Sequence, residues 1–118
     1  MKSDGGNVQK FLEYLATQQD VRAWRMNSGK VAVANRIGLP ATRMVQLGPD
    51  GIGDICGVLQ HRRLRWGLYF ELEAKRPGGK ACPTQVTRQA ELERMNVPYC
   101  VADELKDVIE FLTALRES

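Results

Sequence analysis

The stretch YFELEAKRPGGKACPTQ, residues 69–85, places Glu71, Glu73 and Lys75 at alternate positions of a strand-like run. Successive strand side chains point to opposite faces, so these three project together while Phe70, Leu72 and Ala74 project the other way. A further carboxylate, Asp54, opens the preceding strand-like run directly after the turn-formers of GPDGIG. Two carboxylates from neighbouring strands make half of a site for a hard divalent cation, which takes one or two carboxylates and completes its shell with water and substrate phosphate. The backbone carbonyl of Ala74, between Glu73 and Lys75, can add a further oxygen. Phosphodiester hydrolysis needs an in-line water and positive charge for the transition state, and Lys75 emerges beside Glu73 to hold that water or the phosphate. Taken singly the pieces are common: E-x-K describes many solvated strands, and Asp54 is an ordinary turn residue. Their combination, followed by Gly-Gly-Lys and a helix carrying Gln85, is scarcer.

The elements that must position these groups follow from periodicity. Val8, Phe11, Leu12 and Leu15 predict an amphipathic helix over 8–19 with Asn7 as its N-cap. Strands are expected at 21–26, in KVAVANRIG, at 41–48 as an edge segment, at 54–60 and at 68–75. Pro83 suits the first turn of a helix that reaches Met95 and stops at Asn96. A short strand over 97–102 precedes a last helix, 104–116, with Asp103 as N-cap and Leu105, Val108, Ile109, Leu112 and Leu115 as its apolar stripe. Strands 68–75 and 97–102 flank a helix and are most simply joined as a parallel crossover, giving an α/β sandwich.

At 118 residues the chain suits one domain with a real core. No apolar run approaches bilayer length and the N-terminus lacks a secretory pattern, so a cytoplasmic protein is expected. Cys56, Cys82 and Cys100 are odd in number and lack C-x-x-C spacing, which points to reduced thiols. His61 is the sole histidine, so no zinc cluster forms around it. The net charge of +3 favours a polyanionic partner weakly, but its distribution says more, because the first two thirds are cationic and the end is acidic. Arg25, Lys30, Arg43, Arg62, Arg63, Arg65 and Lys80 are candidates for phosphate contacts on DNA that position a duplex without reading its sequence. Trp24 and Trp66 read as core before they read as stacking platforms for unpaired bases, since an aromatic in or beside a strand is more often buried.

The motifs GIGDICG, FELEAKRPGGK and CPTQ, with MNVPYCVADELKDVIEFL as a final strand and helix, resemble the VRR-NUC nucleases of the PD-(D/E)xK superfamily. That resemblance implies a restriction-endonuclease-like three-layer sandwich, a central mixed sheet with flanking helices in an α-β-β-β-α-β core plus a C-terminal helix. It implies that Asp54 and Glu73 hold Mg²⁺ or Mn²⁺, that Lys75 assists the water, and that Gln85 positions that lysine or the phosphate. It also implies a homodimer of the bacterial or phage type, an endonuclease cutting branched DNA such as four-way (Holliday) junctions. The chain departs from the family where an acidic residue is usual on the first helix, ahead of a Val-Gln pair, because Gly5, Gly6 and Asn7 stand there. Either Asp4 or Glu13 stands in as the metal ligand, or the metal lacks that ligand; Glu13, on the flank of the apolar stripe, reads first as a solvated carboxylate. Two other functions fit the residues: a nucleic-acid-binding module without turnover, and a general nickase or exonuclease with no junction preference.

Overall fold

A computed structural model of the chain describes residues 6–26, 29–34, 42–47 and 51–118, with the backbone alone for 29–34 and 42–47. Nine elements follow in chain order: α1 (Asn7–Ala16), β1 (Val21–Arg25), β2 (Gly29–Ala34), β3 (Thr42–Leu47), β4 (Ile55–Gln60), β5 (Gly67–Ala74), α2 (Pro83–Arg94), β6 (Tyr99–Ala102) and α3 (Leu105–Glu117). The main sheet has the order β1-β4-β5-β6. Its β1–β4 and β4–β5 pairs are antiparallel and β5–β6 is parallel, with α2 in the connection as expected. β2 and β3 form a separate antiparallel ribbon, so 41–48, expected as an edge segment, pairs with β2 among the described residues.

One face of the sheet carries the core. Val21, Ile55, Leu59, Phe70, Leu72, Ala74 and Ala102 are buried beneath Val8, Phe11 and Leu15 of α1 and Val108, Leu112 and Leu115 of α3. Phe70 meets Phe111 edge to face, with ring centroids 5.8 Å apart, an arrangement the ring quadrupoles favour. Gly57, paired with Phe70 across the strands, leaves space for that ring, because a Cβ there would fall 2.5 Å from its Cζ. The opposite face carries α2, which fully buries only Leu92 and reaches the sheet through Arg88. Helices on both faces of a four-stranded mixed sheet make an α/β fold compatible with a three-layer sandwich.

Several ends differ from expectation for local reasons. α1 is capped by Gly6 at φ 88°, and Asn7 lies inside the helix with its side chain buried. Its Nδ2 donates to the carbonyls of Lys75 (2.6 Å) and Asp103 (2.9 Å), fastening the helix start to the ends of β5 and β6. α1 ends at Ala16, where the Thr17 N–H and hydroxyl both turn back to the Tyr14 carbonyl. The cap of α3 is Glu104, one residue later than expected, because Asp107 accepts the N–H groups of both Asp103 and Glu104. Ile109, placed on the apolar stripe, is exposed. No helix among the described residues is long and apolar enough to cross a membrane.

Candidate active site

The β4–β5 register builds the site. Ile55 pairs with Leu72, so one step beyond the ladder Asp54 comes opposite Glu73, on the face away from the core. Asp54 Oδ2 accepts the Ala74 N–H at 3.0 Å, and its carbonyl accepts the Met26 N–H at 2.7 Å. The residue is thereby fixed by the strands on either side of it. Glu73 is 4% exposed. Its Oε2 lies 3.5 Å from Lys75 Nζ, and its Oε1 is buried with no hydrogen-bond partner. Burial first, then the charge of Asp54 and its contact with the Glu73 carboxyl, push this acid up to about 8 against the partial relief from Lys75. Lys75 is held through its backbone as well, its N–H donating to the Ala102 carbonyl at 2.8 Å and its own carbonyl accepting from Asn7.

Glu71 shares this face, and its carboxylate has a full set of partners. Its Oε1 accepts from the Gly53 N–H (3.2 Å) and Arg88 Nε (3.3 Å), and its Oε2 from Arg88 Nη2 (2.7 Å) and the Tyr69 hydroxyl (2.7 Å). Burial alone pushes the Glu71 carboxyl up, but Arg88, Tyr69 and the Gly53 N–H outweigh it and hold the group below its ordinary value. Glu71 is therefore an ionised anchor rather than a free ligand. What it anchors is the turn that delivers Asp54. Gly53 hangs from Glu71, the Tyr99 hydroxyl donates to the Gly51 carbonyl at 3.4 Å, and Gly51, at φ 76°, lies so close to α2 that a Cβ would sit 2.2 Å from the Thr84 carbonyl oxygen. Burial, with the charges of Glu73, Glu71 and Asp54 nearby, pushes the Tyr99 phenol up, so it stays a donor.

The remaining expected residues are distributed unevenly. Ala74 lies buried between Glu73 and Lys75 at the end of β5. Gln85 sits in the first turn of α2, where its Oε1 accepts the Cys82 N–H at 3.0 Å as half of a capping box; only its Nε2 end is left to meet a phosphate. Lys80 is exposed on the segment between β5 and α2. Arg25 pairs with Ile55, so it leaves β1 on the core side of the sheet, away from the carboxylates. Arg62 and Arg63 follow the far end of β4, about 20 Å from Asp54 by strand length, and line a cavity of ≈ 370 Å³ with Thr113, Arg116 and Glu117. Arg65 lines a different cavity with Arg22 and Trp66.

Glu13 is exposed on α1, its Oε2 accepting from Gln9 Nε2 at 2.9 Å, and it is Asn7 that reaches the end of β5. Asp4 and the side chains of Lys30 and Arg43 lie outside the described residues. Asp103, Glu104 and Asp107 bring oxygens within 4.8 Å of one another, and the Asp107 contacts to two backbone N–H groups explain that cluster as a helix cap. Trp24 and Trp66, expected in the core, are 44% and 67% exposed.

Tyr69, Arg88 and Tyr99 support the site and were not singled out by sequence, and Asn7 was expected only as a helix cap. Asn7 alone carried a signal, standing immediately before the Val-Gln pair where an acidic residue was sought. Cys56 is buried, Cys100 partly so and Cys82 exposed, all three as free thiols. Comparison with protein-family models, with curated proteins and with solved structures returned no match to this chain.

Proposed function

We propose that the chain is a metal-dependent DNA endonuclease of the VRR-NUC kind, hydrolysing phosphodiester bonds in branched DNA such as four-way junctions. The observation that carries this reading is the convergence of Asp54 and Glu73, with Glu73 Oε1 buried and unpartnered beside the Lys75 ammonium. A buried carboxylate oxygen without a partner is costly, and a cation is the partner that removes the cost. All the donors are hard oxygens, which fits Mg²⁺ or Mn²⁺. Asp54, Glu73 and the Ala74 carbonyl would hold the ion, which supplies Lewis acidity and an acidified water when bound.

The chain's own residues do the rest. Lys75, 3.5 Å from Glu73, orients the attacking water or steadies a phosphate oxygen as negative charge grows on it. The Nε2 of Gln85, whose Oε1 is taken by the Cys82 N–H, is the donor that side chain has left for a phosphate. Glu71, Arg88 and Tyr99 hold the 51–54 turn so that Asp54 need not reorganise when the substrate arrives. A small domain covers little duplex, so cutting opposite strands of a junction is simplest for a symmetric homodimer that presents two sites.

A labelled four-way junction incubated with Mg²⁺ or Mn²⁺ tests the reading. Cleavage that disappears on chelation and in Asp54→Ala supports it. Metal-independent binding with no products replaces it with a non-catalytic nucleic-acid-binding module, a reading favoured by Asn7 standing as a backbone tie where the family places an acid. Product mapping separates junction cutting from general nicking or exonuclease action.

A further inference from the structure

Among the described residues, the face of the sheet that carries Asp54 and Glu73 is only half roofed. α2 covers the β5–β6 side, where Arg88 meets Glu71 and Leu92 is buried. Towards β1 the same face is paved differently. Arg22 pairs with Val58 and Val58 with Tyr69, while Trp24 pairs with Cys56 and Cys56 with Glu71. By strand alternation these residues share the carboxylate face. Trp24 is 44% exposed and Tyr69 37%. Beyond them Trp66, 67% exposed, and Leu64 line a shallow cavity of ≈ 370 Å³ with Arg22, Arg65 and Val58. Exposed aromatics interleaved with arginines on a sheet surface are the components with which proteins bind unpaired nucleic acid, the rings stacking on bases and the guanidinium groups meeting phosphates.

We infer that this open half-face is a track for a single strand of DNA, entering over Trp66 and Arg65, crossing Arg22, Tyr69 and Trp24, and ending at Asp54 and Glu73. The inference rests on the proposed nuclease function and specifies its substrate as DNA with an unpaired segment beside the cut. The spacing suits it. Alternate strand positions are about 7 Å apart, so the rows Tyr69–Arg22, Glu71–Trp24 and Glu73–Asp54 span about 14 Å, long enough for a short run of an extended single strand. Arg22 and Arg65 supply the charge that matches a phosphate backbone. A second copy of the chain laid on these aromatics would crowd the approach to the carboxylates, whereas a single strand laid there brings its phosphates to them.

The two tryptophans of the chain are both on this track, so binding reports itself. A labelled oligothymidylate of about 15 nucleotides is titrated into the full-length protein in EDTA, where no cleavage occurs, with anisotropy and tryptophan emission as readouts. The track predicts quenching on binding. It predicts a loss of affinity of about tenfold or more for Trp24→Ala and for Trp66→Ala, within the range expected for one lost base stack. Trp24→Phe and Trp66→Phe retain affinity because they keep a ring, and binding of a blunt duplex is unchanged by either alanine variant. Wild-type affinity for the oligothymidylate in the Trp24→Ala/Trp66→Ala double variant overturns the inference. So does a fall in oligomeric mass of that variant with DNA binding intact, which would assign the face to a second copy. Binding to the track does not use the carboxylates, so tryptophan-dependent binding with no cleavage of either a four-way junction or single-stranded DNA in Mg²⁺ or Mn²⁺ would retire the nuclease reading and leave the track standing.

Discussion

The protonation of Glu73 gives the account a quantitative consequence. Glu73 is pushed up to about 8 from an ordinary 4.5. Between those values the native protein holds a proton that the unfolded chain has released, so stability falls as pH rises through that window. The penalty is absent below about 4.5 and complete above about 8, with a size on the order of a few kcal/mol. A divalent ion needs both carboxylates ionised, so it must expel that proton. At pH 7 most molecules carry it, so ion binding releases close to one proton, and that number falls as pH rises past about 8. Calorimetric titration of Mn²⁺ in two buffers of different protonation enthalpy counts those protons. In Glu73→Gln the proton release vanishes with the metal affinity, and in chelator at pH 9 this variant melts above the wild type because a buried charge is gone. A proton count near zero at pH 7, or one that does not fall towards pH 9, would refute the coupling.

Other perturbations address the parts that hold the pair. Gly51→Ala places a Cβ against the Thr84 carbonyl and forces a positive φ on alanine; junction cleavage should drop at least tenfold, read by gel assay, while circular dichroism shows the sheet retained. Glu71→Ala strips Arg88 and the Gly53 N–H of their partner, and a loss of about 3 kcal/mol or more is expected in urea unfolding. Asn7→Leu leaves the Lys75 and Asp103 carbonyls without their donor and should destabilise by about 1–3 kcal/mol, with Mn²⁺ affinity falling as the end of β5 loosens. Gly57→Ala drives a Cβ into the Phe70 ring; thermal melting should fall by several degrees, with Mn²⁺ titration of the folded variant giving the wild-type result.

The crossover from β5 through α2 to β6 could be read because each part carries its own local signal: alternation in FELEA, Pro83 at a helix start, and an apolar run after Asn96. The pairing of Asp54 with Glu73 was inferable only as a suspicion, since strand register is set by contacts across the sheet and not by either strand alone. Glu71 and Arg88 show why the supporting layer stayed hidden. They are 17 positions apart on different elements, and no periodicity marks a guanidinium that turns inward from a largely exposed helix. Trp24 and Trp66 misled for the converse reason: strand propensity says that an aromatic fits a pleated surface, but not which half of that surface a helix covers. Asn7 is a third case, because a residue type that favours helix caps was drawn one position inward by two backbone carbonyls that only the folded sheet presents.

A crystal soaked in Mn²⁺ and measured at the manganese absorption edge would decide whether the Asp54–Glu73 pair is a metal site. The proposed function predicts an anomalous peak beside the Asp54 and Glu73 carboxylates. A peak only at Asp103 and Asp107, or none at all with both carboxylates ordered, would contradict it.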